Sequence, residues 1–394
     1  MDKKKLFAEI DKIEERVIEI RRQIHRQPEL EYQEEKTAAL AAKELKKLDI
    51  AVETGVYHTG VCGLLENSRD KEDKTILLRA DMDALPIQEN TGAPYSSEVP
   101  GVMHACGHDG HTAILIGAAM VLNELQDEFE GNVKFIFQPA EETTGGAKGM
   151  IEEGVLENPK VDAALALHLW GTLPRGMIEY KSGPVMASPD AFNIKIIGSG
   201  GHAAQPHNCV DPVPIAATII DQFQNIVSRR IDPLESAVIS VCHLAGGETH
   251  NVIPDEVFLE GTVRSLTPEI RKEIPRHMEE VVDKITSQYG ADYIFDYDFR
   301  YPPLHNDSVM TKLVKKSAEK VLGQDRVREA DKPNMGGEDF SYLAREVPSS
   351  FFFLGIAPSE EETIPHHQPE FDVDDRVLRD GIAVMCQAVI DYLS

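Results

Sequence analysis

Long apolar runs and positive charge are what this 394-residue sequence most clearly lacks. No stretch of about 18 apolar residues occurs, which argues against a transmembrane helix. The first 22 residues are charged throughout, where a signal peptide would need an apolar stretch, so we expect a cytoplasmic protein. Because 67 acidic side chains outnumber 40 basic ones, for a net charge of −27, we expect neither nucleic acid nor an anionic membrane as a partner.

Cysteine is also scarce, and the five cysteines lie far apart along the chain. An odd, dispersed set of this kind argues against a framework of disulfide bonds. A cysteine with a special role is therefore expected to be a metal ligand or a nucleophile. The five are Cys62, Cys106, Cys209, Cys242 and Cys386.

The order of helix and strand patterns predicts an α/β protein in which one domain is inserted into another. Patterns of helix and short apolar strand alternate up to about residue 186, with strands at 75–79 and 133–137 and a helix at 111–125 between them. Residues 187–300 follow the order β-α-β-β-α-β, which is the ferredoxin-like plan. We therefore predict a larger α/β domain from residues 1–186 and 301–394, and a ferredoxin-like domain at 187–300.

The densest group of candidate metal ligands is the sequence His-Ala-Cys-Gly-His-Asp-Gly-His at residues 104–111. Thiolate and imidazole together suit zinc and similar ions. The two glycines allow a tight backbone, so that Cys106 and His108 can converge. The alternative is a loop of ordinary polar residues with one buried cysteine.

Two adjacent carboxylates, Glu141 and Glu142, follow the apolar strand predicted at 133–137. At the end of a strand their side chains point in different directions, so that one can bind a metal ion while the other transfers a proton. Taken alone, the pair is better explained as a solvated acidic turn, because acidic pairs are common in this chain.

Further candidate ligands lie at other predicted strand ends. His168 lies in an apolar stretch, where a histidine is more often a part of the core. Asp81 and Asp83 follow a buried strand, and a hydrogen bond to a metal-bound histidine would satisfy such a carboxylate. His366 and His367 fit either a ligand or a solvated loop. Together, these signals predict two metal ions about 3.5–4 Å apart.

Nine motifs, in order over nearly the whole chain, resemble the aminoacylase, hippurate hydrolase and indole-acetyl-amino-acid hydrolase family of dinuclear metallopeptidases, which are relatives of carboxypeptidase G. The resemblance implies a metal-binding domain interrupted by a lid domain, and a homodimer or higher homo-oligomer built on the lid. The motifs are IHRQPEL, RADMDALP, VMHACGHDGH, FQPAEE, ALHLW, GSGGHAAQPH, GGETHNVIP, GGEDF and HHQPEF.

The same resemblance assigns roles to residues of the larger domain. Glu141 matches the general base, and Asp83 matches the aspartate that contacts a ligand histidine. His367, rather than His366, fits the family pattern of histidine, one residue, then proline or serine. The matched metal ligands are Cys106, which bridges the two ions, and His108, Glu142, His168 and His367.

For the lid, the resemblance implies that His202 reaches the active site of the partner subunit. Asn251 and Arg264 match positions that contact the substrate. Gly337 belongs to the loop Gly-Gly-Glu-Asp-Phe, which is expected to line the pocket.

The function implied is metal-dependent hydrolysis of the amide bond of N-acyl-L-amino acids, with two divalent ions per subunit. Cysteine, histidine and carboxylate ligands leave zinc, manganese, cobalt and nickel all open. A metallocarboxypeptidase on short peptides and an N-acetyl-diaminopimelate deacetylase are the alternatives within enzymes. A non-catalytic metal-binding protein is disfavoured, because such a protein could lose Glu141 and this chain keeps it.

Overall fold

The computed structural model describes residues 1–67 and 74–394, which fold into two compact units. The first unit comprises Met1–Gly183, His305–Lys332 and Tyr342–Ser394, and the second comprises Pro184–Leu304 and Pro333–Ser341. The segment Pro333–Ser341 thus groups with the second unit, whereas sequence order alone had assigned it to the larger domain. Among the described residues, no helix has both the length and the apolar character that crossing a membrane requires.

The elements follow the alternation of helix and strand that the sequence predicts. The helices are α1 (Lys3–Arg26), α2 (Glu35–Lys46), α3 (His108–Glu124), α4 (Ala147–Glu152), α5 (Pro212–Arg229), α6 (Pro268–Tyr289), α7 (Ser308–Leu322), α8 (Ser341–Glu346) and α9 (Leu378–Leu393). The strands are β1 (Ala51–Thr54), β2 (Val61–Leu65), β3 (Thr75–Asp81), β4 (Asn132–Gln138), β5 (Ala163–Pro174), β6 (Ile178–Tyr180), β7 (Gly183–Met186), β8 (Ser188–Ile197), β9 (Gly201–His202), β10 (Ala237–Ala245), β11 (Val252–Ile253), β12 (Glu256–Ser265), β13 (Asp292–Asp298), β14 (Leu304–Asn306), β15 (Val327–Glu329) and β16 (Ser349–Ala357).

The first unit is built on an eight-stranded sheet in the order β1-β2-β4-β3-β5-β16-β6-β15. Its central strands β4, β3, β5 and β16 are parallel to one another, and β3 and β4 are buried along their whole length. Helices α1, α3 and α9 pack together in the core beside this sheet. Since side chains at the carboxyl ends of parallel strands converge, this edge is where a site is expected.

The second unit has a four-stranded antiparallel sheet in the order β10-β12-β8-β13. Along the chain its elements run β8-α5-β10-β12-α6-β13, so each helix joins two strands of that sheet. Apolar side chains of α5 and α6 pack on one face and form a separate core. The predicted α/β class and the ferredoxin-like order are both confirmed.

Helix α3 begins three residues earlier than its sequence pattern predicts. The prediction started at residue 111, whereas the helix begins at His108. Gly107 precedes it with φ 91°, a conformation that L side chains rarely adopt. Gly107 therefore ends the preceding loop abruptly and places His108 on the first turn of the helix.

Candidate metal centre

Five segments at the carboxyl edge of the first unit's sheet bring the candidate ligands together. They are the end of β3, the loop into α3, the turn after β4, the middle of β5 and the loop after β16. Five groups of described side chains place their ligand atoms within 4.8 Å of one another, and two of these groups share Cys106. These two groups are Cys106, His108 and His168, and Cys106, Glu142 and His367.

Hydrogen bonds fix the ring of His108 in one tautomer. Its Nδ1 lies 2.9 Å from the backbone oxygen of Asp83 and 3.2 Å from Asp83 Oδ1, and both of these oxygens are acceptors. Nδ1 must therefore carry the proton, which leaves the lone pair of Nε2 for a metal ion. Burial disfavours protonation of His108, but Asp81 and Asp83 outweigh it and raise its pKa to about 10. Without a metal ion, these carboxylates favour a second proton on Nε2, and a metal cation would take the place of that proton.

The ring of His168 is oriented in the same way from β5. Its Nδ1 donates to the backbone oxygen of Leu169 at 2.7 Å, and its Nε2 lies 3.5 Å from Cys106 Sγ. Burial and the neighbouring His111 hold the pKa of His168 well below its usual value, so the imidazole is neutral. His168 therefore faces the cysteine with an unprotonated nitrogen, which is the form that binds metal ions.

The Glu142 carboxylate completes the second group. Its Oε1 lies 3.3 Å from Nε2 of His367 and 3.7 Å from Nε2 of His108. The backbone N–H of His367 donates to Ala105 at 2.9 Å, and His367 itself has φ 58°. That contact ties the loop after β16 to the cysteine-containing loop and holds His367 beside Glu142.

These residues fit a pair of metal ions. Across residues 1–67 and 74–394, neither Nε2 of His108 nor Oε1 of Glu142 has a hydrogen-bond partner, although both atoms are buried. Two atoms bound to one tetrahedral ion lie about 3.3–3.8 Å apart. This matches the 3.5 Å between His168 Nε2 and Cys106 Sγ, and the 3.3 Å between Glu142 Oε1 and His367 Nε2. Burial, with the nearby Glu142 and Glu141, raises the pKa of the Cys106 thiol well above its usual range. A coordinated cation would instead hold this cysteine as a thiolate.

Glu141 precedes Glu142 but has different surroundings. It is buried, and its carboxylate lies within 4.8 Å of the ligand atoms of His108 and Glu142. It belongs to neither of the two groups that contain Cys106. Glu141 thus lies near one ligand atom of each cysteine-containing group, whereas Glu142 Oε1 lies between the Nε2 atoms of His108 and His367.

The structure separates the paired histidines of the C-terminal loop. His366 directs its Nε2 to the backbone oxygen of Leu169 at 3.0 Å, and its ring lies 4.9 Å from that of Trp170. His367 instead approaches Glu142. Of the two, only His367 is placed among the candidate ligands of the described chain.

Two histidines of the dense motif at residues 104–111 lie outside the two cysteine-containing groups. His111 directs Nδ1 to Asp81 at 2.6 Å, and its Nε2 accepts the backbone N–H of Leu169 at 2.8 Å. Both of its ring nitrogens therefore already contact protein groups, although His111 also forms a candidate group with Asp81 and His108. His104 lies next to His25, with ring centroids 6.3 Å apart. The motif pattern alone could not separate these two from His108.

Glu34 is not among the predicted site residues, yet its carboxylate reaches the turn that carries Glu141. Its Oε1 accepts the backbone N–H of Ala140 at 3.0 Å. These residues are 106 positions apart, and no local pattern links them.

The predicted lid residues are placed as follows in the second unit. His202 lies in β9 and is paired with Val252 of β11, and the neighbouring Ala203 donates to the backbone oxygen of Asn251 at 3.1 Å. His202 and Asn251 are therefore close together. Arg264 lies in β12, where it donates to Thr262 Oγ1 at 2.7 Å. A side chain at Gly337 would collide with Pro189.

Comparison with known proteins shows which family this chain belongs to. Residues 77–391 match the family model described as peptidase family M20/M25/M40. An N-acyl-L-amino acid amidohydrolase of Geobacillus stearothermophilus is 43% identical over 307 residues, covering 78% of this chain and 82% of that protein. Thermostable carboxypeptidase 1 of Saccharolobus solfataricus is 41% identical over 383 residues, covering 96% and 95%.

Among solved structures, a dinuclear metal binding peptidase of the M20 family from Bacillus subtilis superposes with a TM-score of 0.84. It is 36% identical, and the match covers 97% of this chain and 99% of that one. The family resemblance drawn from the nine motifs is confirmed.

Proposed function

This chain belongs to the peptidase family M20/M25/M40 and is a metal-dependent hydrolase, and we propose that it cleaves the amide bond of N-acyl-L-amino acids with two divalent ions. The observation that supports the proposal is that the two adjacent carboxylates, Glu141 and Glu142, have different surroundings. Glu142 lies between two histidine nitrogens. Glu141 lies within 4.8 Å of the ligand atoms of His108 and Glu142 but has no place in either cysteine-containing group. Hydrolysis of an amide needs both a metal ligand set and a separate base.

In the proposed reaction, Cys106, His108 and His168 hold one ion, and Cys106, Glu142 and His367 hold the other. When bound, such ions lower the pKa of water towards about 7 and polarise the amide carbonyl. Glu141 takes a proton from the attacking water and later gives it to the leaving amine. Asp83 orients His108 through its Nδ1 and also accepts the backbone N–H of Glu142 at 2.9 Å.

The substrate's free carboxylate and developing oxyanion need donors beyond the ion ligands. We assign these roles to Asn251 and Arg264 for the carboxylate and to His202 for the oxyanion, with Gly337 in the loop that lines the pocket. An amide and a guanidinium are suitable donors for a carboxylate. The overall acidity of the chain does not oppose an anionic substrate, because local groups set the field in a pocket.

One relative is named for N-acyl amino acids and another as a carboxypeptidase. An experiment must therefore distinguish N-acyl amino acids from short peptides as the substrates of this chain. The same ligand set would serve both. A panel of N-acyl amino acids, including N-acetyl-diaminopimelate, should be assayed beside dipeptides after reconstitution with zinc, manganese, cobalt or nickel. Higher kcat/KM on the N-acyl amino acids is expected, and a preference for dipeptides would make the chain a carboxypeptidase.

Metal binding should change the fluorescence of Trp170, the only tryptophan of the chain. Its ring centroid lies 5.4 Å from that of His168, because residues two apart in a strand point to the same face. Adding metal to the apoprotein is therefore expected to change the emission, and His168→Asn should weaken that response. Unchanged emission, with binding shown by elemental analysis, would argue against His168 as a ligand.

We also propose that the active site is shared within a homodimer, with His202 completing the site of the partner subunit. His202 is exposed, and the loop around it contains several glycines. Glu141→Ala and His202→Ala should each be almost inactive alone. In an equal mixture that has been refolded together, half of the dimers are mixed and one of their two sites is intact, so activity should return to about a quarter of wild type.

His207→Ala is the matched control, since this exposed histidine of the same loop has no assigned role. It should keep wild-type activity. If His202 acts within its own subunit, the mixture will stay inactive even when mixed dimers are demonstrated.

A further inference from the structure

The turn that carries Glu141 and Glu142 contains a backbone conformation that is unusual for its residue. Ala140 has φ 57°, in the left-handed region that residues with a Cβ atom rarely adopt. The backbone oxygen of Ala140 accepts the N–H of Gly145 at 2.9 Å, which closes the turn. The strained residue therefore lies directly before the proposed base, and its conformation sets the direction of the next side chain.

A buried carboxylate holds this residue from outside the turn. Glu34 is fully buried immediately before helix α2. Its Oε1 accepts the backbone N–H of Ala140 at 3.0 Å, and its Oε2 accepts the hydroxyl of Thr59 at 2.6 Å. No salt bridge to Glu34 occurs within the described residues, so its known donors are neutral. Burying a carboxylate without a neighbouring cation is costly in free energy. A neutral side chain could accept the same hydrogen bonds without that cost, so the cost suggests a function.

A second buried carboxylate binds the backbone on the C-terminal side of Glu141. The backbone N–H of Glu142 donates to Oδ2 of Asp83 at 2.9 Å. The two peptide N–H groups that flank Glu141 are thus each bound by a buried carboxylate from a different part of the sequence. The strained backbone of Ala140 and the costly burial of Glu34 thus lie together beside Glu141. Such a combination is typical of functional sites.

We propose that Glu34 is a positioning residue for proton transfer, which holds Ala140 in its left-handed conformation and so aims Glu141. This inference rests on the proposed function, in which Glu141 is the base. Misplacing a catalytic group by about 1 Å can cost about a hundredfold in rate. Because the base acts in the transition state, loss of its positioning lowers kcat and leaves KM nearly unchanged.

The main test is Glu34→Met, which keeps the volume of the side chain but removes the acceptor. We expect kcat to fall about 10- to 100-fold, with KM and bound metal close to wild type. Glu34→Gln keeps an oxygen for Ala140, so its kcat should stay within about threefold. Glu44→Met is the matched control, because Glu44 is a buried carboxylate of α2 that binds Arg16 and Lys47. It should not change kcat.

A second substitution, to glycine at residue 140, distinguishes a positioning role of Glu34 from a general loss of structure. Glycine adopts a positive φ without steric cost, so adding Ala140→Gly to Glu34→Met should restore kcat several-fold. No recovery in the double variant would overturn the inference, and so would wild-type kcat in Glu34→Met. A loss of metal that matches the loss of activity would also overturn it, because Glu34 would then act on the ion ligands.

Two further measurements keep the test decisive. Should Glu34→Met fail to fold, Thr59→Val removes the hydroxyl that holds Oε2 and should lower kcat by a few-fold, and an unchanged kcat there would count against the inference. Hydrogen exchange at the Ala140 amide should become faster in Glu34→Met whatever the reaction is. Full activity in Glu141→Gln would refute the proposed function, whereas unchanged exchange at Ala140 would refute the role of Glu34.

Discussion

Removal of the metal ions with a chelator is expected to abolish amide hydrolysis while leaving most of the fold intact. Activity is expected to depend on the ions because two bound cations would lower the pKa of the attacking water and would polarise the amide carbonyl. The fold does not depend on them, because the ligands lie at the edge of a sheet whose strands β3 and β4 are buried by apolar side chains. An activity assay and circular dichroism on the same apoprotein would check both parts.

The control for this experiment is reconstitution. Adding back zinc, manganese, cobalt or nickel should restore hydrolysis with at least one of them, which excludes irreversible damage by the chelator. Full activity in chelator, with metal content confirmed near zero, would contradict the assignment of the site as a whole.

Glu141→Gln should lose about 10²- to 10⁴-fold in kcat while keeping its metal ions. The amide cannot accept a proton, but Glu141 belongs to neither group that shares Cys106. Glu142→Gln should instead lose metal affinity, because its Oε1 is a buried atom between two histidine nitrogens. Kinetics together with elemental analysis of both variants would distinguish the two roles.

Glu152→Gln provides the matched control, since this exposed glutamate of α4 takes no part in the site. It should behave as wild type. If Glu141→Gln loses the metal and Glu142→Gln keeps it without activity, the two assignments must be exchanged.

The fold could be predicted well because its patterns are local. Strands β3 and β4 are largely apolar, although they contain Arg79 and Lys134, and largely apolar segments are typical of strands buried on both faces. Helix α6 begins after Thr267, whose side chain caps it, and ends before Gly290, which has φ 72°, and both are local sequence signals. The start of α3 was wrong by three residues, because Gly107 ends the loop before the apolar periodicity begins.

Parts of the site depend on contacts that no local pattern contains. Cys106 and His108 lie within one dense motif, so their chemistry was visible in the sequence. His111 belongs to the same motif, but only the contacts with Asp81 and Leu169 show that both ring nitrogens are engaged. Glu34 was missed because a glutamate in an acidic stretch before a helix resembles an ordinary solvated residue.

Metal stoichiometry, measured beside activity while apoprotein is titrated with one ion, tests the central claim most directly. Two ions per chain are expected at full activity. Cys106→Ala should bind fewer ions and remain inactive, because both candidate ligand groups contain this residue. A wild-type protein that reaches full activity with one ion per chain or fewer would contradict the dinuclear hydrolase described above.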